Sequence, residues 1–182
     1  MRLKKLLTQN EIEENFDNIK TFCKSAIRDC KNPITRRNMD YLLWHDNPAS
    51  LMYKLYIKKS FMMLTLVYDN DIIIGLSGVE PYNKKVALIA RRLFELKNFR
   101  GQGVFLHYML EEQLKFIRNL GYEKGLITVN IHRKYLYDVF KRIIQGKAVR
   151  FFYFPFSKMK IEIIDEPFML NNVMQYGIYI EV

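Results

Sequence analysis

A chain of 182 residues that is 49% apolar and 14% aromatic can bury a sizeable core, which excludes a disordered chain. Its net charge of +10 and pI near 9.5 point to an acidic partner: nucleic acid, an anionic membrane or a polyphosphate cofactor. The charge is nevertheless dispersed in pairs such as Lys4-Lys5, Arg36-Arg37, Lys84-Lys85 and Lys141-Arg142, which favours a solvated basic surface over a dedicated nucleic-acid site.

The basic N-terminus lacks an apolar stretch long enough for secretion, and no run reaches the roughly 18 apolar residues of a membrane span. Residues 2 to 8 read as a short strand. Thr8 or Asn10 then caps a helix whose apolar positions are Ile12, Phe16, Ile19, Phe22, Cys23, Ile27 and Cys30. Cys23 and Cys30, the only cysteines, fall about 10 Å apart along such a helix, too far for a disulfide. Two reduced thiols imply a soluble, cytoplasmic protein. Pro33 ends the helix, and a second helix is expected over 36–45. Trp44 reads as a core anchor more readily than as an exposed acceptor wall. His45, His107 and His132 have no ligand spacing, so no metal is assigned.

From residue 60 the pattern turns to strands. Residues 60–68 and 72–80 flank Asp69-Asn70-Asp71, a hairpin signal. A second turn over 81–84 leads into a third apolar run at Val86–Ala90. The chain then passes through Lys97-Asn98-Phe99-Arg100-Gly101-Gln102-Gly103 into a helix pattern that Gly121 stops. A strand over 124–131 follows, and the intervening helix makes a β-α-β unit with parallel neighbours. A helix over 132–145 comes next. The remainder is β-rich over 150–165 and 173–182, with strand-like segments at 151–154, 158–164 and 176–181. No repeat, linker or low-complexity tract interrupts the chain, so 1–182 reads as a single domain.

The glycine turn carries the chemistry. The first turn of a helix exposes amides without intrahelical partners and roughly half a positive charge, which together stabilise phosphate oxygens. Gly101 and Gly103 allow close backbone approach, and Arg100 can add a charged contact. The alternatives are a Walker loop, excluded by the lack of Gly-Lys-Ser/Thr, and a dinucleotide fingerprint, excluded by the missing third glycine. A plain connecting turn also stays open.

The order of elements, with Arg100-Gly-Gln-Gly-Val-Phe105 at the helix start, resembles the GNAT superfamily of acyl-CoA-dependent N-acyltransferases over residues 8–182. Arg100, Gly101 and Gly103 match that family's motif, whereas Phe105 replaces its last small residue. Asn130 and Tyr137 match a second motif, without the Gly-Phe that often follows. The resemblance implies an α+β fold with a mixed, mainly antiparallel sheet, a central β-α-β unit and a V-shaped splay between the fourth and fifth strands. It also implies acetyl-CoA as co-substrate. Its pyrophosphate would lie on Arg100, Gly101, Gln102, Gly103, Val104 and Phe105, and its pantetheine arm on the backbone of Leu93, Phe94, Glu95 and Leu96 and on Asn130. Tyr137 would protonate the leaving thiolate. Glu95 stands where the family has an apolar residue; it is either a base for the acceptor ammonium or a carboxylate paired with Arg91, Arg92 or Lys97. The implied activity is transfer of an acetyl group to a primary amine of a small molecule or protein, by a monomer or homodimer away from membranes. The alternative is a basic nucleic-acid-binding module on a non-catalytic scaffold of the same fold.

Overall fold

The computed structural model describes residues 1–28, 62–144, 159–170 and 173–182. The expected helix at 36–45, Trp44, His45, Cys30 and the apolar run at 151–154 lie outside them. Seven strands form one sheet in the order β1-β2-β3-β4-β5-β7-β6. They are β1 (Arg2–Leu6), β2 (Met63–Asp69), β3 (Ile72–Pro81), β4 (Val86–Glu95), β5 (Lys124–Asn130), β6 (Ile161–Leu170) and β7 (Val173–Glu181). The helices among the described residues are α1 (Gln9–Arg28), α2 (Leu110–Asn119) and α3 (Lys134–Ile144). The chain divides into two compact units interleaved in sequence, residues 1–81 with 90–113 and residues 82–89 with 114–182.

The first unit is built on α1. Thr8 and Glu11 form a capping box: the Glu11 carboxylate accepts from the Thr8 amide at 2.8 Å and from the Leu7 amide at 2.7 Å. These bonds hold the Glu11 carboxyl below its usual range, that of Leu7 having the largest effect. Ile12, Phe16, Ile19, Phe22, Cys23 and Ala26 recur at helical spacing and are buried with Leu6 of β1, Leu64, Leu66 and Tyr68 of β2, and Ile73 and Leu76 of β3. Burial pushes the Cys23 thiol up to about 12, so this cysteine is an inert core residue. β1 runs antiparallel to β2, and β2 to β3 through the two-residue loop Asn70-Asp71, where Asn70 takes φ 51°.

In the second unit the start of β4 pairs in parallel with β5, from Val86↔Lys124 to Ile89↔Ile127. β5 pairs antiparallel with β7, which in turn pairs antiparallel with β6 across an irregularity between Ile164 and Phe168. Gly121 ends α2 at φ 83°, the left-handed stop that its sequence position implied. Strand β6 reaches Leu170, past the expected β-rich range that ends at 165, and β7 begins at Val173, where the second β-rich range was expected to begin.

Gly177 of β7 is glycine because of its neighbours: a Cβ there would stand 2.7 Å from Ile164 Cδ1, 2.8 Å from Phe168 Cε1 and 3.2 Å from Leu126 Cδ1. We expect Gly177→Val to destabilise the protein by about 1–3 kcal/mol through overpacking, read from urea denaturation midpoints. An unchanged midpoint would mean that this part of the sheet repacks freely.

Candidate active site

Strand β4 continues past the apolar run at 86–90 to Glu95, so that Leu93, Phe94 and Glu95 lie on the fourth strand as the resemblance implied. Its parallel ladder with β5 ends at Ile89↔Ile127, although both strands continue. The next residue, Ala90, has φ 56°. A left-handed alanine costs roughly 1–2 kcal/mol and persists only where its surroundings enforce it. Here the Ala90 amide donates to Gln113 Oε1 at 2.9 Å. Gln113 is fully buried, and its Nε2 donates to Thr65 Oγ1 at 2.9 Å and Ser77 Oγ at 3.1 Å. Beyond Ala90, Arg91 pairs with Glu80 at 3.1 Å, and the Leu96 amide returns to the Ile74 carbonyl of β3 at 2.9 Å.

The Leu96 bond corrects one expectation. Leu96 was a candidate backbone donor for a pantetheine arm, but its N–H is already used by β3. Amides alternate in direction along a strand, so those of Leu93 and Glu95 face away from β3 and those of Phe94 and Leu96 face towards it. The alternation thus directs the Leu93 and Glu95 amides to the side of β4 opposite β3.

After a 3₁₀ turn (Lys97–Phe99), Arg100 leads into the glycine turn, where Gly101 has φ 81° and Gly103 φ 71°. Both values favour glycine. Nothing lies within 4 Å of the position a Gly101 Cβ would occupy, so this backbone is open to a ligand. Gln102 folds back, its Nε2 donating to the Asn98 carbonyl at 2.8 Å, and Arg100 Nε is anchored on the Glu95 carbonyl at 3.1 Å. The helix then opens on a π turn (Phe105–Met109) rather than a regular α turn, with the Leu110 amide bonded to the Phe105 carbonyl. That wide turn begins at Phe105, the residue that departs from the motif, and the Phe105 side chain is buried.

Glu95 reaches this helix start. Its Oε1 accepts from the Phe105 amide at 3.2 Å, placing a carboxylate at the positive end of the helix. Of the basic partners expected for it, Arg91 pairs with Glu80; the cation that acts on Glu95 is Arg100, which was not among them. Burial nevertheless dominates, raising the Glu95 carboxyl above its usual range against the opposing Phe105 bond and Arg100 charge. Glu95, Arg100, the glycine turn and Phe105 thus come together.

In the second unit, Asn130 caps a short 3₁₀ turn (Ile131–Arg133), its Oδ1 accepting from the His132 amide at 2.9 Å, while its Nδ2 has no partner among the described residues. Tyr137 on α3 is 3% exposed; its hydroxyl donates to the Ile164 carbonyl at 2.9 Å and its ring stacks on Tyr176 with centroids 4.6 Å apart. Burial raises the phenol, partly offset by Lys141, which itself pairs with Asp165. Asn130 is in register with Gln175, the neighbour of Tyr176, so both motif residues converge on one end of β7. No group of three metal-ligating side chains occurs among the described residues, and no helix there is long and apolar enough to cross a membrane.

Sequence reasoning missed Gln113. It interrupts the apolar face of Met109, Leu110, Leu114 and Ile117, and a polar residue at a core position was the available signal.

No protein-family model matches the sequence, and no curated protein sequence does. The structure does match solved ones. The acetyltransferase of the GNAT family from Streptococcus pneumoniae superposes with a TM-score of 0.60 at 9% identity, over 100% of both chains. The PaiA N-acetyltransferase from Thermoplasma acidophilum, in complex with coenzyme A, gives 0.57 at 8% identity over 97% of this chain and 98% of that one. An acetyltransferase from Streptococcus agalactiae 2603 gives 0.54 at 12% identity over 100% and 97%. The fold is that of the GNAT acetyltransferases: a mixed, mainly antiparallel seven-stranded sheet with a parallel β4-β5 pair that parts at Ala90.

Because burial raises the folded-state Glu95 carboxyl above its unfolded value, its favourable contribution is present at low pH and is lost as pH rises above the ordinary carboxylate range. We therefore expect Glu95→Gln to raise the melting temperature at pH 7–8 and to leave it nearly unchanged at pH 4. A variant less stable than wild type at pH 7 would show that ionised Glu95 is a net stabilising cap.

Proposed function

We propose that this protein is an acetyl-CoA-dependent N-acetyltransferase acting on a primary amine by direct attack. The observation that carries the reading is the opened second half of β4 running into a glycine turn at a helix start, in a GNAT fold.

The residues fit such a donor. The left-handed, sterically open Gly101, together with Gly103, Gln102 and Val104, supplies backbone for a pyrophosphate, and Arg100 keeps guanidinium nitrogens beyond the one anchored on Glu95. Phe105 joins this set once its amide is released by Glu95. Asn130 Nδ2 is the donor for a pantetheine amide carbonyl. When bound, acetyl-CoA supplies the acetyl group as an activated thioester. The Leu93 and Glu95 amides act as fixed donors for oxyanion charge, a contribution worth about 3–4 kcal/mol per donor in acyl transfer.

Two titratable groups serve proton transfer in this reading. Glu95, its basicity raised by burial, accepts a proton from the acceptor ammonium at Oε2. Tyr137 gives its hydroxyl proton to the leaving thiolate, which requires rotating that proton off the Ile164 carbonyl. The acceptor is an amine on a small molecule or protein.

We expect acetyl-CoA at a hundredfold excess over its dissociation constant to stabilise the native state by about 2.7 kcal/mol, read as a shift in melting temperature. A folded Gly103→Val variant should lose the shift. A full shift in that variant would remove the glycine turn from the site. For the proton donor we expect Tyr137→Phe, assayed with any amine found in an acceptor screen, to lose about 10²-fold or more in kcat with acetyl-CoA affinity nearly unchanged. Unchanged kcat with stability lower by about 1 kcal/mol would leave Tyr137 a structural residue bonded to Ile164.

A further inference from the structure

We infer that Gln113 is the positioning residue of the site, setting the direction of the Leu93 and Glu95 amides by holding Ala90 in its left-handed conformation. The inference rests on the acetyl-CoA reading above and concerns how that donor is gripped.

The hydrogen-bond directions around Gln113 leave one solution. Thr65 Oγ1 donates its proton to the Ser77 carbonyl at 2.9 Å, so towards Gln113 it can only accept. Both this oxygen and Ser77 Oγ lie on the Nε2 side of the Gln113 amide, at 2.9 and 3.1 Å. A flipped amide would set its NH₂ against the Ala90 N–H, donor against donor. Oε1 therefore has to face Ala90, where it accepts at 2.9 Å. Thr65, Ser77 and Gln113 are all fully buried, so water does not compete for these bonds.

The consequence falls on β4. An alanine at φ 56° is a local high-energy state that relaxes towards the extended region unless something holds it. Relaxation at Ala90 would rotate the following peptides and reverse which amides face β3. The Leu96 bond to Ile74 fixes the far end of the segment, and Gln113 fixes the near end. Between these two pins lie the amides of Leu93 and Glu95. The glycine turn has its own hydrogen bonds, Gln102 to Phe99 and His107 to Gly103, and does not involve Gln113.

The test compares binding of acetyl-CoA and of adenosine 3′-phosphate 5′-diphosphate, which keeps the phosphates but lacks the pantetheine arm, by titration calorimetry. Gln113→Met, similar in length but unable to accept the Ala90 bond, should bind acetyl-CoA at least tenfold more weakly and the nucleotide fragment as wild type does. Ala90→Gly in the Gln113→Met background should recover most of the loss, because glycine adopts the left-handed conformation unaided. Equal weakening of both ligands, no weakening, or no recovery in the double variant would overturn the inference. If Gln113→Met does not fold, Gln113→Glu is read instead: its buried, neutral carboxyl keeps an acceptor for Ala90, so wild-type affinity is expected and a tenfold loss in a folded protein overturns the inference. Wild type that fails to bind acetyl-CoA would refute the acetyltransferase reading itself, an outcome distinct from these.

Discussion

The structure depends on one constraint, that the amide at the point where β4 leaves its parallel ladder, that of Ala90, finds a buried partner. A strand that departs from its partner strands buried N–H groups, each costing about 1–3 kcal/mol if unpaired. At Ala90 the chain meets this by turning left-handed and giving its amide to Gln113, which is itself held by Thr65 and Ser77. The ladder with β5 can therefore stop at Ile89↔Ile127 while β4 continues for five residues beyond Ala90. Everything assigned to donor binding in the first unit lies downstream of that point.

Charge is handled with similar economy at the helix start. The positive end of the helix and Arg100 make a site suited to an anion, and the protein places its own carboxylate there, with Glu95 on the Phe105 amide. Burial raises that carboxyl above its usual range, against the Phe105 bond and the Arg100 charge. Meanwhile basic side chains elsewhere are drawn into ion pairs, such as Lys5 with Glu112, Lys85 with Glu123 and Lys124 with Glu162.

How much of this was legible in the sequence follows from which residues leave a local signature. Thr8, one of the two cap candidates with Asn10, announced a helix start, Asp69-Asn70-Asp71 a hairpin, and Gly121 a helix end, since each acts through its own backbone within a few residues. Gly101 and Gly103 marked the turn because positive φ selects glycine. Ala90 gave no such sign, as an alanine in a left-handed conformation looks like any other strand alanine. The extension of β4 to Glu95 was legible only through the family resemblance, which placed Leu93 to Leu96 on the fourth strand; by apolar pattern alone the run stops before Arg91, which Glu80 of β3 pairs with. The π turn at Phe105–Met109 has no periodicity of its own over five residues. Tyr137 could be placed on its helix, but the partner of its hydroxyl, Ile164, is 27 residues away and only the tertiary fold brings them together.

The central claim is that the edge of β4 facing away from β3 is open and receives the donor. Amide hydrogen exchange of the intact protein, resolved by residue with and without acetyl-CoA, tests it most directly. The account predicts that the Ala90 and Leu96 amides exchange slowly in the free protein, being bonded to Gln113 and Ile74, while those of Leu93 and Glu95 exchange fast and become protected on addition of acetyl-CoA. Protection of Leu93 and Glu95 that is already complete in the free protein, or that does not change at saturating acetyl-CoA, would contradict it.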